Sequence, residues 1–145
     1  MGQGPVGVLG LGYVGMPLVD ALVRSGCQVI GYDLSNHVVE GLQNSKSHID
    51  DLTDVRIYEL LERGFTPTNE ARELAKCSTF VICVPTPLSS HGGPDLTAVL
   101  DAGRLIAGVL NEGDLVILES TSYPGTTERK LLPVLETSGL KAGAD

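Results

Sequence analysis

Pro5-Val-Gly-Val-Leu-Gly10-Leu-Gly-Tyr-Val-Gly15 is a short apolar run that breaks into Gly10-x-Gly12-x-x-Gly15. An apolar strand, a sharp turn that glycine permits and a helix opening with unpaired backbone N–H groups together make a phosphate site. In such a turn Gly10 allows the tight bend, Gly12 leaves the space where a side chain would strike a pyrophosphate, and Gly15 lets the helix lie close to the strand. Tyr13 and Val14 contribute mainly backbone groups. A chain with 18 glycines can produce this spacing by chance, so the surroundings decide. Val6, Val8 and Leu9 form the strand. Val14, Leu18, Ala21 and Leu22 recur at helical spacing, Gly26 stops that helix, and Val29, Ile30 and Tyr32 make a second strand ending at Asp33. Asp33 falls 18 positions after Gly15, where a carboxylate accepts hydrogen bonds from the adenosine ribose of a dinucleotide. The plainer alternative is a strand-end acid capping the next helix.

The 145 residues amount to one domain, long enough to bury roughly two-thirds of their unfolded surface. Ten basic against eighteen acidic side chains give a net charge of −8, which argues against nucleic acid or an anionic membrane as partner. A bound phosphate must then be attracted by backbone dipoles. With no basic leader, cleavage signal or long apolar segment, neither secretion nor membrane insertion is expected, and the predicted location is cytoplasmic. Cys27, Cys77 and Cys83 are odd in number without a CxxC, so they read as buried free thiols. His37, His48 and His91 have no metal-ligand spacing and read as surface histidines, so no metal site is predicted.

Downstream, Ser35 suits the N-cap of a helix that uses Val38, Val39 and Leu42 and ends near Asn44. Residues 45–53, with His48, Asp50 and Asp51, read as an exposed, solvated connection. A helix over residues 54–63 presents Val55, Tyr58 and Leu61 on one side and ends at Gly64. Residues 65–68 form a short strand that Pro67 confines to a sheet edge, and residues 69–76 a brief helix with Ala71, Leu74 and Ala75 inward. Residues 79–84 are an unbroken run of strand formers, the pattern of a parallel strand buried on both faces. Asp95 caps a helix in which Leu96, Val99, Leu100, Gly103, Ile106, Ala107 and Leu110 keep three-four spacing. Residues 115–118 form another apolar strand, and a last helix runs through Leu131, Leu132 and Leu135 to Gly139. This alternation predicts an α/β, Rossmann-like fold: an open, mainly parallel sheet with helices on both faces.

Ligands of such sheets sit beyond the carboxyl ends of the strands, so the loops at residues 10–15, 85–87 and 120–127 should meet. Proline on both sides holds Thr86 extended, a way to fix one hydroxyl against a sugar or nicotinamide, and Thr121 faces the same cleft one strand along. The alternatives are that Thr86 merely ends a strand and that Thr126 or Thr127 caps the last helix.

Gly10-Leu-Gly-Tyr-Val-Gly15, Gly31-Tyr-Asp33, Val84-Pro-Thr-Pro87, Pro94-Asp-Leu96 and Glu119-Ser-Thr-Ser-Tyr-Pro-Gly-Thr-Thr127, in this order, resemble the UDP-glucose/GDP-mannose dehydrogenase family over nearly the whole chain. The Tyr-Pro-Gly-Thr-Thr variant and the tail over residues 132–143 look most like the subgroup that oxidises UDP-N-acetylhexosamines, the UDP-N-acetylglucosamine and UDP-N-acetylmannosamine 6-dehydrogenases. The resemblance implies NAD-dependent, two-step oxidation of the C6 alcohol of a nucleotide sugar to a carboxylate, using two NAD and a covalent cysteine thiohemiacetal. It also implies that Tyr13, Val14, Asp33, Thr86 and Thr121 contact NAD beside Gly10, Gly12 and Gly15, and that Val84, Pro85 and Thr127 join them. Thr121 would also help to hold a catalytic water.

The glutamate, lysine, asparagine and nucleophilic cysteine of that family have no counterpart here. Residues 1–145 are therefore expected to be the NAD-binding domain of a longer, homo-oligomeric enzyme whose UDP-sugar site lies mostly in further domains. A rival reading is a nucleotide-sensing regulatory module, which also uses GxGxxG followed by an acid. The Thr86 and Thr121 loops argue against it, since a sensor has no need for a hydroxyl cluster at the nicotinamide end. A methyltransferase fits the glycine spacing and the later loops less well.

Overall fold

A computed structural model describes residues 4–145 of the chain. Five short apolar segments pair into one sheet: β1 (Val6–Leu9), β2 (Val29–Tyr32), β3 (Phe65–Thr68), β4 (Thr79–Ile82) and β5 (Leu115–Leu118). Every pairing is parallel, in the order β3-β2-β1-β4-β5. Parallel neighbours require crossovers, mostly supplied by helices. They are α1 (Gly15–Arg24), α2 (Asn36–Gln43) and α3 (Asp54–Glu62), then α4 (Thr97–Ala107). A 3₁₀ turn over Ala71–Lys76 leads from β3 to β4, and a π-helical turn over Thr127–Leu131 runs into α5 (Leu132–Leu135). The order reverses between β1 and β4, the crevice position at which open α/β sheets bind ligands.

Successive strand residues point to opposite faces, and each face has its own core. Val8, Val29 and Val81 pack with Met16, Val19, Ile57 and Leu60 on one side. Leu9, Ile30 and Ile82 pack with Leu74, Val99 and Ile106 on the other. The predicted fold class is therefore the observed one. Ser35 caps α2 through its Oγ, Asn44 closes that helix, and β3 with Pro67 is an edge strand.

Several local expectations are corrected. Helix α1 buries Gly15, Met16, Val19, Asp20 and Val23, whereas Val14 and Ala21 are exposed and Leu18 and Leu22 are half-buried. The helix touches the strand most closely at Gly15, and that contact sets which face is inward. The buried Asp20 is met by Arg56 Nε at 2.5 Å and Arg24 Nη2 at 3.1 Å. The same Arg56 bridge ties α3 to α1, and α3 buries Ile57 and Leu60 while Val55 and Tyr58 lie on the outside. Helix α4 begins at Thr97 rather than directly after Asp95, although the Asp95 carboxylate still accepts the Thr97 N–H at 2.9 Å. Ala75 is exposed in its tight 3₁₀ turn, where only Leu74 is buried. Residues 45–53 are not wholly solvated, because Ile49 enters the core at 4% exposure. No helix among the described residues is long and apolar enough to cross a membrane.

Candidate cofactor site

Register brings the site together. Leu9 pairs with both Tyr32 and Ile82, and Ile82 with Leu118, so four strands end level and release Gly10, Asp33, Cys83 and Glu119 at one edge. The loops that follow enclose a cleft of about 1140 Å³. Its walls include Gly10, Gly12, Tyr13, Val14, Asp33, Val84, Pro85, Thr86 and Thr121, which are remote in sequence and predicted together. Gly15 forms the underside of the turn. Thr127 does not reach this cleft: it opens on a separate small depression lined by residues 122–128.

The three glycines do different work. Gly10 has φ +97°, and a Cβ there would lie 2.7 Å from the Cys83 carbonyl oxygen. At Gly15 a Cβ would lie 1.8 Å from the Gly10 carbonyl oxygen, so any side chain forces helix and strand apart. Gly12 has nothing within 4 Å of a built Cβ and faces open space. The first bond of the helix runs from Met16 N–H to the Gly12 carbonyl at 3.0 Å. Among the described residues the N–H groups of Gly12, Tyr13 and Val14 donate to nothing and are available to an anion.

Asp33 ties the end of β2 to the turns on both sides of it. Its Oδ1 accepts the Ser35 N–H at 2.9 Å, beginning α2, and its Oδ2 accepts the Leu11 N–H at 2.9 Å, tying the strand end to the glycine turn. Each carboxylate oxygen keeps a further lone pair for a ribose hydroxyl. His48, read from the sequence as a surface residue, places Nε2 2.6 Å from the Leu11 carbonyl oxygen and so grips the same turn. The apolar Ile49 and Leu52 within a mostly polar stretch are the sequence signal that this connection is anchored.

On the other wall, Thr86 Oγ1 donates to the Thr121 carbonyl at 2.7 Å, and Ser120 Oγ donates to the Val84 carbonyl at 2.7 Å. These bonds lock the loops after β4 and β5 together. With its proton engaged, Thr86 offers lone pairs to a ligand, while the Thr121 hydroxyl makes no bond among the described residues. Thr126 rather than Thr127 is the buried threonine, and its Oγ1 donates to the Tyr123 carbonyl at 2.7 Å.

Among the described residues the charged groups lining the cleft are Asp33, Asp95, Asp101, Glu119 and a single base, Arg104, which pairs with Asp101 at 2.5 Å. Attraction of a phosphate therefore falls to the backbone N–H groups. Burial, and then the Asp33 carboxylate, raises the Tyr32 phenol above its ordinary value. Burial, reinforced by Glu119, pushes the Cys83 thiol up to about 11, so it is protonated and poorly nucleophilic at neutral pH. No group of three His, Cys, Asp or Glu side chains suited to a metal occurs among the described residues. The arrangement can bind and orient a dinucleotide, and among the described residues the thiol lining the cleft, Cys83, is not poised for covalent chemistry.

Residues 5–145 match the UDP-glucose/GDP-mannose dehydrogenase family, NAD binding domain. The chain is 41% identical over 142 residues to the UDP-N-acetyl-D-glucosamine 6-dehydrogenase of Pseudomonas aeruginosa, covering 97% of this chain and 33% of that protein. It is 39% identical over 142 residues to the UDP-N-acetyl-D-mannosamine dehydrogenase of Pyrococcus horikoshii, with 97% and 34% covered. The solved structure of the UDP-D-ManNAc dehydrogenase from Pyrococcus horikoshii superposes with a TM-score of 0.89 at 40% identity, covering 96% of this chain and 34% of that one. A ternary complex of GDP-mannose dehydrogenase from Pseudomonas aeruginosa gives a TM-score of 0.90 at 28% identity, with 97% and 34% covered. The chain spans about a third of the length of the curated relatives it matches.

Proposed function

We propose, from the premise that this chain belongs to the UDP-glucose/GDP-mannose dehydrogenase family and is its NAD-binding domain, a binding mode and a role in a longer enzyme. The free N–H groups of Gly12, Tyr13 and Val14 take the pyrophosphate, Asp33 takes the adenosine ribose, and Val84, Pro85, Thr86 and Thr121 flank the nicotinamide end. The observation that carries this reading is the open space over Gly12 beside three unsatisfied N–H groups, at the point where four strand ends lie level. NAD supplies the hydride acceptor. Thr121, with its hydroxyl free, orients a water toward the reacting carbon, although a threonine hydroxyl stays protonated at neutral pH and so does not serve as the base.

The longer enzyme oxidises the C6 alcohol of a UDP-N-acetylhexosamine, the substrate class named for the similar curated proteins, and works as a homo-oligomer as its family resemblance implies. A cytoplasmic location fits three cysteines that remain free. The substrate site and the nucleophile that carries the aldehyde to the acid belong to further domains, since Cys83 is protonated and Cys27 and Cys77 lie away from the cleft.

Calorimetric titration with NAD and NADP tests the binding mode. NAD is expected to bind at least about tenfold more tightly, because a 2′-phosphate would meet the Asp33 carboxylate rather than an arginine; equal affinities overturn it. Mixed with NAD and UDP-N-acetylglucosamine, UDP-N-acetylmannosamine or UDP-glucose, the 145-residue chain is expected to yield no NADH absorbance. Steady turnover that vanishes on replacing one cysteine would contradict the assignment of the chemistry to other domains.

A further inference from the structure

We propose that His48 is a positioning residue of the cofactor site, holding the peptide between Leu11 and Gly12 so that the Gly12 N–H stays aimed at the pyrophosphate. His48 lies outside the cleft wall, on the connection between α2 and α3, with Nε2 2.6 Å from the Leu11 carbonyl oxygen. A carbonyl only accepts, so the ring presents Nε2–H to it, as the neutral tautomer protonated there or as the imidazolium. The inference rests on the pyrophosphate lying over the glycine turn and adds the group that keeps the turn in shape.

Leu11 is held through all of its groups. Its N–H donates to Asp33 Oδ2 at 2.9 Å, its side chain is fully buried against Gly31, and its carbonyl accepts from His48. In a trans peptide the carbonyl and the following N–H point in opposite directions. Fixing the Leu11 carbonyl toward His48 therefore turns the Gly12 N–H away from the α2–α3 connection. A peptide that precedes glycine is the easiest to turn over, because glycine tolerates either sign of φ. Turned over, it would present a carbonyl dipole to the anion in place of a donor. Holding it beforehand removes an ordering cost from binding.

The segment that delivers His48 is itself anchored on both sides. Ile49 is 4% exposed in the core, Ser47 N–H donates to Asp54 Oδ1 at 2.8 Å, and Lys46 Nζ meets Asp54 Oδ2 at 2.8 Å. Ser47 Oγ also donates to the Ile49 carbonyl at 2.9 Å. His48 is an exposed residue, and its bond to the Leu11 carbonyl fixes the ring.

The test titrates the chain and its His48→Ala, His48→Gln and Gly12→Val variants with NAD by calorimetry, records melting temperatures, and follows the Gly12 amide by NMR. His48→Ala is expected to bind NAD about three- to tenfold more weakly, the effect of one lost hydrogen bond, with an unchanged melting temperature and a shifted Gly12 amide. Glutamine presents an Nε2–H donor at a similar reach, so His48→Gln is expected to restore most of the affinity and the amide position. If Gly12→Val binds NAD like the wild type, the pyrophosphate placement has failed. If Gly12→Val loses NAD while His48→Ala binds normally, or while glutamine does no better than alanine, the placement stands and the role of His48 is wrong. A drop in melting temperature shared by both His48 variants makes the residue structural and also overturns the proposal.

Discussion

The β1-α1-β2 half of the molecule and the β4-α4-β5 half face each other across one cleft, yet they hold their loops by different means. In the first, shape comes from side chains that are missing: Gly10 and Gly15 allow backbone contacts that no Cβ could share, and Leu11 is gripped from both ends. In the second, shape comes from hydroxyls that are present, with Thr86 and Ser120 bonded to backbone carbonyls of the opposite loop. Burial follows the same division. Every residue of β2 is buried, whereas β5 is an edge strand whose Leu115 is 53% exposed. Gly10 and Gly15 cannot gain a side chain without moving backbone, while the threonine half can be altered one hydroxyl at a time. Substitutions at those two glycines should therefore be all-or-none for the fold, and those on the threonine side graded.

The largest effect separates two glycines of a single turn. Gly15→Ala drives a methyl into the Gly10 carbonyl and is expected to cost about 4 kcal/mol or more, enough to prevent stable folding. Gly12→Val adds a larger group but into open space, so its circular dichroism melt should match the wild type while NAD binding disappears. A normal melt for Gly15→Ala would break the contrast at its strongest point. Next comes Asp33→Ala, expected to weaken NAD by about 1–3 kcal/mol and to lower stability by roughly 1 kcal/mol, since the Leu11 N–H loses its acceptor. Lost stability with unchanged NAD affinity would reduce Asp33 to a cap.

These residues were legible in the sequence because the requirements they meet are local. A glycine at a strand-to-helix turn, an acid at the end of the second strand and an unbroken apolar run each imply their geometry without knowledge of the rest. Helix faces were less legible. Apolar residues surround α1, and the choice of Met16, Val19 and Val23 over Val14, Leu18 and Leu22 is made by the close approach at Gly15. The family resemblance implies that Thr127 joins Thr121 at the cofactor, but the chain turns at Gly125, with φ +86°, and leaves the cleft between them. His48 was hidden because its partner is a backbone carbonyl 37 positions away, which no side-chain pattern announces.

On the threonine side, Thr86→Val keeps the shape of the side chain but removes the donor to the Thr121 carbonyl. About 1 kcal/mol should be lost from stability or NAD affinity, with Thr86→Ser close to wild type. A loss as large as that of Asp33→Ala would show that the second half is no more graded than the first, and paired melts and titrations of the three variants measure it.

The smallest effect at neutral pH concerns Cys83, which sits where the two halves meet, its carbonyl under Gly10 and its Cβ 3.5 Å from the Cβ that Gly15 lacks. Cys77 stands at the far end of β4, with Sγ 3.2 Å from the corresponding point at Gly7. Burial pushes both thiols from 9.0 up to about 11, with Asp114 adding to the rise at Cys77 and Glu119 at Cys83. At pH 8 only about one molecule in a thousand carries either thiolate, so N-ethylmaleimide should modify the half-exposed Cys27 and spare the other two. A folded-state value above the unfolded one means that the native protein holds the proton more tightly. The resulting stability is fully present below about pH 9 and is lost as pH rises through 11. Stability should accordingly be flat from pH 7 to 8.5 as far as these groups are concerned and fall above it, by on the order of 2 kcal/mol per thiol at the upper end, and the melting temperature falls with it. Mass spectrometry after brief labelling at pH 8 reads the first part and thermal melts at rising pH the second. Cys83 labelled as fast as Cys27 in the folded chain would mean that the seam between the glycine turn and β4 admits solvent, and the glycine half would no longer be the rigid one.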